Sequence, residues 1–499
     1  MKRCVVIGSG LAGLASAVIL AKNGYQVTVL EQAAQMGGCL QCFARGDALF
    51  DTGMHYVGSA DPGQTMHTML RYLELDGRIP LSRLDPSGYD IIALNGERYP
   101  LANGEQAFVE TLAKHFPDCR EQLHQYHQLV TRVASSAVMH SLDPEQDRQS
   151  NAPYRLRSVN EVIDSVVTHP VLRQVLAGIQ PLYAGERDRT PFATHALISD
   201  FFNQSAFRIV GGSAVVAQAL ADVLAAHGGR VMLRCKAAHI ECDDTSAVAV
   251  TTEDGERFPA DLVVSTIHPA NTMRLVDSHL IRPSYRRRLT EARNTTSVFT
   301  VYLKFRQDKV PYMNHNLYVY RSGTTWGCER YDEASWPKYL LYMHFCHSEN
   351  PVFAHTGQIM TYMRFDEVQR WADTAVGQRG ADYEDFKRAK AERLIQALEA
   401  EVPELRGNIE CYYTSTPLTY LDYTGTPQGA MYGIARDVNE PLGGSIASRT
   451  RIPNLLLAGQ SITAHGMLGV LAGSFLACAE VLSLPNIIEE LKTSVPPAP

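Results

Sequence analysis

Residues 4–13 read Cys-Val-Val-Ile-Gly-Ser-Gly-Leu-Ala-Gly, an apolar strand that runs directly into a glycine-rich turn. No other stretch limits the fold so sharply. Gly8 permits the tight turn, Gly10 lets the backbone approach a pyrophosphate, and Gly13 allows the next helix to press against the strand. The small-residue apolar pattern of residues 11–23 predicts that helix, with Gly24 where its carboxyl-terminal cap belongs, and residues 27–30 predict a second buried strand. The strand ends at Glu31, near the roughly 20-residue separation at which a carboxylate meets ribose hydroxyls. Together these residues predict a dinucleotide grip at the edge of a parallel sheet.

A chain of 499 residues exceeds the size at which one core stops growing, so more than one lobe is expected. Hydrophobic content of 45% with 20% charged residues is that of a folded globular protein. The net charge of -7, without a long basic run, excludes an electrostatic surface for nucleic acid. Ten scattered cysteines read as reduced thiols of a cytoplasmic protein rather than as a disulfide framework. Met1-Lys2-Arg3 and the apolar run behind it imitate a secretory leader, but cleavage there would remove the glycine turn and Glu31. The nearly continuous apolar segment 466–485 is expected to be a buried cofactor helix, since glycines interrupt it as they would not a bilayer span.

Residues 76–205 lose the alternation of strand and helix, become mostly helical, and contain a polar segment, 143–151, expected to be an exposed loop. Phe201, Phe202 and Phe207 cluster at their end, either as core or as the wall of an apolar site. The first pattern returns at 206–275, with a helix at 214–226, a strand at 230–233, a hairpin turn at Asp254-Gly255-Glu256 and a strand at 260–265. Residues 276–440 contain strands at 297–303, 317–320, 339–345 and 359–365, predicting one large sheet, and an amphipathic helix at 382–402. Tyr342-Met343-His344-Phe345 and Tyr362-Met363-Arg364-Phe365 suggest adjacent strands presenting like faces, and one face of the sheet either lines an apolar tunnel or packs under helices. A last buried strand at 454–457 and the helix after Gly466 complete the pattern.

Gly37-Gly38-Cys39 and Phe50-Asp51-Thr52-Gly53-Met54-His55-Tyr56-Val57-Gly58 closely resemble the FAD-dependent phytoene desaturase, carotenoid isomerase and retinol saturase family, on its saturase and isomerase side. Thr416-Pro417-Leu418-Thr419-Tyr420 and residues 423–433 carry the same resemblance. It implies an α/β fold: a glutathione-reductase-like FAD-binding Rossmann domain (1–75, 206–275 and 441–492) with a discontinuous α+β substrate domain (76–205 and 276–440). It implies FAD contacts at Gly8, Gly10, Leu11, Ala12, Gly13, Glu31, Gln32, Gly37, Gly38, Cys39, Met54, His55, Ala237, Gly459, Gln460, Gly466, Met467, Leu468 and Val470. Ala237 stands where the family commonly has Val, and Gln460 where many relatives have an acid.

The implied reaction is hydride transfer between flavin and the double bonds of an apolar polyene or isoprenoid lipid, by a saturase or isomerase using reduced flavin. A phytoene-type desaturase, an amine oxidase and a non-catalytic prenyl carrier of the same fold are the alternatives. His55, Tyr56 and His465 are the candidates for proton exchange, being placed near the flavin by the resemblance and chemically able to do it. Cys39 and Cys42 have the spacing of a redox pair, and no His, Cys and acid cluster has metal-ligand spacing. With no second dinucleotide motif, the electrons are expected from an external donor. An apolar substrate makes peripheral membrane contact an expectation.

Overall fold

The computed structural model describes residues 1–143 and 152–494, so the expected loop at 143–151 lies almost wholly outside the described residues. Strand Lys2–Ile7 sits at the centre of a five-stranded sheet in the order Arg230–Met232, Tyr25–Leu30, Lys2–Ile7, Leu262–Ser265 and Leu455–Leu457. Every neighbouring pair is parallel, with Val6 beside both Val29 and Val264. Parallel sheets are covered on both faces, which is why Val5, Val6, Val29, Val263 and Leu456 are all buried. Helix Leu11–Lys22 covers one face, and helix Gly466–Leu482 packs along it, Ser474 Oγ donating to the Ala12 carbonyl at 3.4 Å. At the turn Gly8 has a φ of +97°, and a Cβ on Gly13 would lie 1.9 Å from the Gly8 carbonyl oxygen. Only glycine allows that helix to approach so closely.

The second sheet has seven strands, in the order Ile409–Ser415, Ser297–Phe305, Thr356–Met363, Tyr339–His344, Asn316–Tyr320, Asp90–Leu94 and Glu97–Leu101. The four expected strands are there, extended by Ile409–Ser415 at one edge and by a hairpin from the helical stretch at the other. That hairpin turns on Asn95 and Gly96, both at positive φ, and joins the sheet by a parallel pairing of Asp90–Leu94 with Asn316–Tyr320. Asn-Gly is a strong short-range hairpin signal, so its strands were readable in the sequence although the helical reading of 76–205 passes over them.

The expectation of like faces is corrected. Tyr339–His344 and Thr356–Met363 are neighbours, but antiparallel, with Leu341 opposite Met360 and Tyr342 opposite Ile359. Alternation therefore puts Met343 and Tyr362 on one face and Tyr342 and Met363 on the other. A small sheet of Val57–Gly58, Ala206–Ile209 and Leu81–Arg83 bridges the helical stretch and the glycine motifs. Among the described residues no helix is long and apolar enough to cross a membrane.

Candidate active site

Two helix amino ends converge on the space between the sheets, and neither is capped by a side chain. Helix Leu11–Lys22 follows Gly10 and helix Gly466–Leu482 follows His465; the first turn of each lacks an acid. Their unpaired N–H groups and the positive end of the dipole attract an anion or a developing negative charge. A Cβ on Gly10 or Gly466 would meet nothing within 4 Å, so both ends open onto free space. Glu31 is fixed beside the first: its Oε2 accepts from Ser9 N at 3.0 Å and Ser9 Oγ at 2.6 Å, and its Oε1 from Ala33 N at 2.7 Å. Gly37 N donates to the Ser9 carbonyl, drawing the glycine doublet Gly37-Gly38 against the turn. Glu31 N donates to Met232 O at 2.9 Å and Cys235 N to Glu31 O at 2.8 Å, which brings the segment leading to Ala237 alongside; Gln32 is exposed there. The cradle fits a dinucleotide: open amino ends for the diphosphate and flavin, and a pre-oriented carboxylate for the ribose.

A cavity of about 120 Å³ lies between cradle and large sheet. Leu11, Gly37, Cys39, Met54, His55, Tyr56, Gln460, Gly466, Met467 and Val470 line it from the glycine motifs, Leu341, Met343 and Met360 from the sheet, and Tyr420, Met431 and Tyr432 from the segment between. No Asp or Glu lines it among the described residues. Leu468 instead turns toward a groove outside, while Ala12 is buried in the core and Gly459, at φ +108°, stands near Ala12 behind the cavity wall. The apolar sheet face is therefore cavity wall in part, and the three phenylalanines divide: Phe202 packs on Tyr56 with centroids 4.4 Å apart, Phe201 lines the outer groove, and Phe207 belongs to the small sheet.

The titratable groups differ sharply. Burial, then the nearby Arg208 charge, lowers His55 to about 3, and both ring nitrogens are buried without a partner. Burial, then Arg436, does the same to His465, whose Nε2 also lacks a partner. Both are neutral imidazoles at physiological pH. Tyr56 has a different environment: its hydroxyl donates to Asp90 Oδ2 at 3.0 Å and lies 2.7 Å from the Tyr318 hydroxyl. Asp90 is fully buried, and burial raises its carboxyl to about 7 despite hydrogen bonds from Asn316 and Tyr56 and the Arg208 charge. Asn316 Nδ2 donates to Asp90 Oδ1 at 2.8 Å, and its Oδ1 accepts from Arg208 Nη2 at 3.0 Å, so one amide bridges a buried acid and a buried guanidinium. Proline or glycine spacing reveals none of this: Asp90, Asn316, Tyr318 and Arg208 come from three distant segments, and the sequence reading missed them.

Cys39 and Cys42 do not form a pair poised for exchange. Cys42 Sγ donates to Asp51 Oδ1 at 3.1 Å, while Cys39 faces the cavity, and burial pushes the thiols up to about 12 and about 11. Neither supplies the thiolate that a disulfide relay requires. Among the described residues no cluster of His, Cys, Asp or Glu can hold a metal ion.

The Rossmann-type sheet, the uncapped helix ends and the fixed Glu31 define an FAD-dependent oxidoreductase with a second, substrate-binding domain. The flavin containing amine oxidoreductase family matches residues 11–482, and the chain belongs to it. Human all-trans-retinol 13,14-reductase is 29% identical over 98% of this chain and 86% of that protein. A lycopene-forming phytoene desaturase from Paracoccus is 22% identical over 87% of each. Among solved structures, putrescine oxidase bound to putrescine has a TM-score of 0.61 at 15% identity, covering 97% of this chain and 99% of its own. An oxidoreductase from Methanosarcina mazei has a TM-score of 0.62 at 15% identity, covering 95% and 98%. The retinol reductase and the phytoene desaturase support the retinol saturase and phytoene desaturase resemblance, and the two solved structures show the fold.

Proposed function

We propose that the chain reduces a carbon–carbon double bond in a retinoid-like or carotenoid-like polyene. The observation that carries this reading is the cavity: Leu341, Met343 and Met360 face the cofactor cradle, and among the described residues no carboxylate lines the space to receive a substrate ammonium. The relatives named as retinol reductases and phytoene desaturases favour the same substrate class over an amine.

In this reading Gly8, Gly10, Gly13 and Gly459 would hold the diphosphate of FAD, Glu31 and Gln32 its ribose, and Ala237 its adenine. Gly37, Gly38, Cys39, Met54, Gln460 and the amino end at Gly466–Val470 would hold the ribityl chain and ring. FAD held there would supply the hydride chemistry. The protein's own work is to orient the polyene on the apolar wall, exclude water and hold the proton. Tyr56 is the donor at the cavity edge, and Asp90, whose Oδ2 accepts from the Tyr56 hydroxyl and whose carboxyl burial raises to about 7, exchanges a proton with it near neutral pH. His55 and His465 act as neutral rings that fix cofactor or substrate by hydrogen bonding. The electrons come from an external reductant.

Anaerobic incubation of the reduced enzyme with candidate polyenes tests this: a product heavier by two hydrogens is expected. An unchanged mass with altered double-bond geometry would make the protein an isomerase, and purified protein that releases no FAD on denaturation would end the enzymatic reading.

A further inference from the structure

Outside the flavin cavity lies a larger groove, about 1040 Å³, between helix Phe192–Gln204 and helix Gly466–Leu482. Leu197, Ile198 and Phe201 form one wall and Leu468, Ala472 and Leu476 the other. Its volume reaches the top of the ~300–1,000 Å³ range of small-molecule sites, whereas the inner cavity of about 120 Å³ falls below it. The groove is therefore the larger of the two spaces open to a long chain. Leu156 and Leu442, 59% and 77% exposed, stand at its mouth.

Two arginines line this groove, Arg155, which is exposed, and Arg436, which is not. Arg436 donates through Nη2 to the carbonyls of Ile462 at 2.6 Å, Thr463 at 3.1 Å and Ser461 at 3.4 Å, while its Nε and Nη1 make no hydrogen bond among the described residues. Among the described residues no carboxylate pairs with it. The acids of the groove are committed elsewhere: Asp437 to Arg189 at 3.4 Å and Arg293 at 3.1 Å, and Glu480 to Arg449 at 3.0 Å. Burial lowers the Arg436 pKa only to about 10, so the guanidinium stays charged. The carbonyls meet only Nη2, so Nε and Nη1 remain to donate to an anionic or oxygen-bearing group in the groove.

The groove also adjoins the flavin cavity. His465 lines the groove, Tyr432 and Gly466 line the cavity, and the His465 and Tyr432 rings lie 4.5 Å apart. This ring pair joins a groove residue to a cavity residue.

We propose that this groove holds a long unsaturated chain with an anionic head, the head on Arg436 and the chain between the two helix walls, beside the His465–Tyr432 ring pair. The place of the site rests on its geometry, and the identity of its occupant as substrate rests on the polyene-reductase reading above.

The test is titration of the FAD-loaded enzyme with cis-parinaric acid, a conjugated tetraene with a carboxylate, read by its fluorescence. One saturable site is expected. Ala472→Trp, which fills the groove, should weaken binding about tenfold or more, and Arg436→Gln should weaken the acid about tenfold while leaving the methyl ester unchanged. Leu197→Trp, from the opposite wall, replaces Ala472→Trp if that variant loses its flavin. Binding by both wall variants at wild-type affinity overturns the groove, and equal binding of acid and ester overturns the role of Arg436. Saturable, groove-dependent binding with no polyene reduced leaves the site standing and removes the reductase reading. Reduction of polyenes at an unchanged KM by the wall variants does the reverse.

Discussion

In the five-stranded parallel sheet the polar groups left open are backbone N–H groups at helix amino ends, whereas at the seven-stranded sheet the buried polar groups are side chains that bond one another. The first arrangement needs no particular side chain, only glycines where the chain must turn or approach closely. It accepts a ligand that brings the missing acceptors. The second is a side-chain network: Arg208, Asn316, Asp90, Tyr56 and Tyr318 bond one another from distant segments, with Arg208 Nε left unpartnered among the described residues, and of these five Tyr56 borders the cavity. In the proposed reading the cofactor is held by backbone and the proton is exchanged through side chains.

The largest effect belongs to the backbone side. Gly13→Val puts a Cβ into the Gly8 carbonyl, so bound flavin per protein should fall to near zero; full flavin occupancy in this variant would break the comparison. On the side-chain side, Arg208→Met leaves the Asn316 Oδ1 and the carbonyls of Met313 and His315 unmatched. Denaturant unfolding should show a loss of about 3–5 kcal/mol. Tyr56→Phe removes the donor and should slow polyene reduction roughly 100-fold with FAD retained, measured as single-turnover product formation. A wild-type rate would move the proton source elsewhere.

Asp90→Asn sharpens the contrast through pH. Folding raises the Asp90 carboxyl from 3.8 to about 7, so the folded state holds a proton that the unfolded chain has lost. The stabilisation is complete below the unfolded value and disappears as pH rises through about 7, a change of up to roughly 4 kcal/mol. Wild-type thermal stability should therefore fall between about pH 4 and about pH 7 and level off above, while turnover should decline above about pH 7. Asp90→Asn should flatten both declines and cost about tenfold in turnover below it; an unaltered alkaline limb would assign the titration to another group. The smallest effect is expected outside both arrangements. Ser158 caps helix Val159–Val166 by accepting from Glu161 N at 3.2 Å, so Ser158→Ala should cost about 1 kcal/mol without changing flavin content or rate.

The same contrast explains what was legible. Gly8, Gly10, Gly13 and Glu31 announce their fold because turn, close approach and ribose carboxylate follow each other within one short segment. The large sheet was legible as a sheet from its β-branched and aromatic runs, but not in its register, because an antiparallel pairing and a parallel one leave no local mark. Asp90 illustrates the limit. Its partners Tyr56, Asn316 and Tyr318 lie on other segments, and nothing at residue 90 distinguishes a buried proton store from an ordinary strand-opening acid. Asn95 and Gly96 show the opposite case, a local signal overridden by the helical character of its surroundings.

The strand order has a consequence for synthesis. Lys2–Ile7 is made long before its neighbour Leu262–Ser265 and the edge strand Leu455–Leu457, and before the helix whose amino end completes the cradle. Contacts of such long sequence separation close slowly and late. The cradle is consequently complete only once helix Gly466–Leu482 is in place, so a dinucleotide that binds it stabilises the assembled fold rather than its early steps.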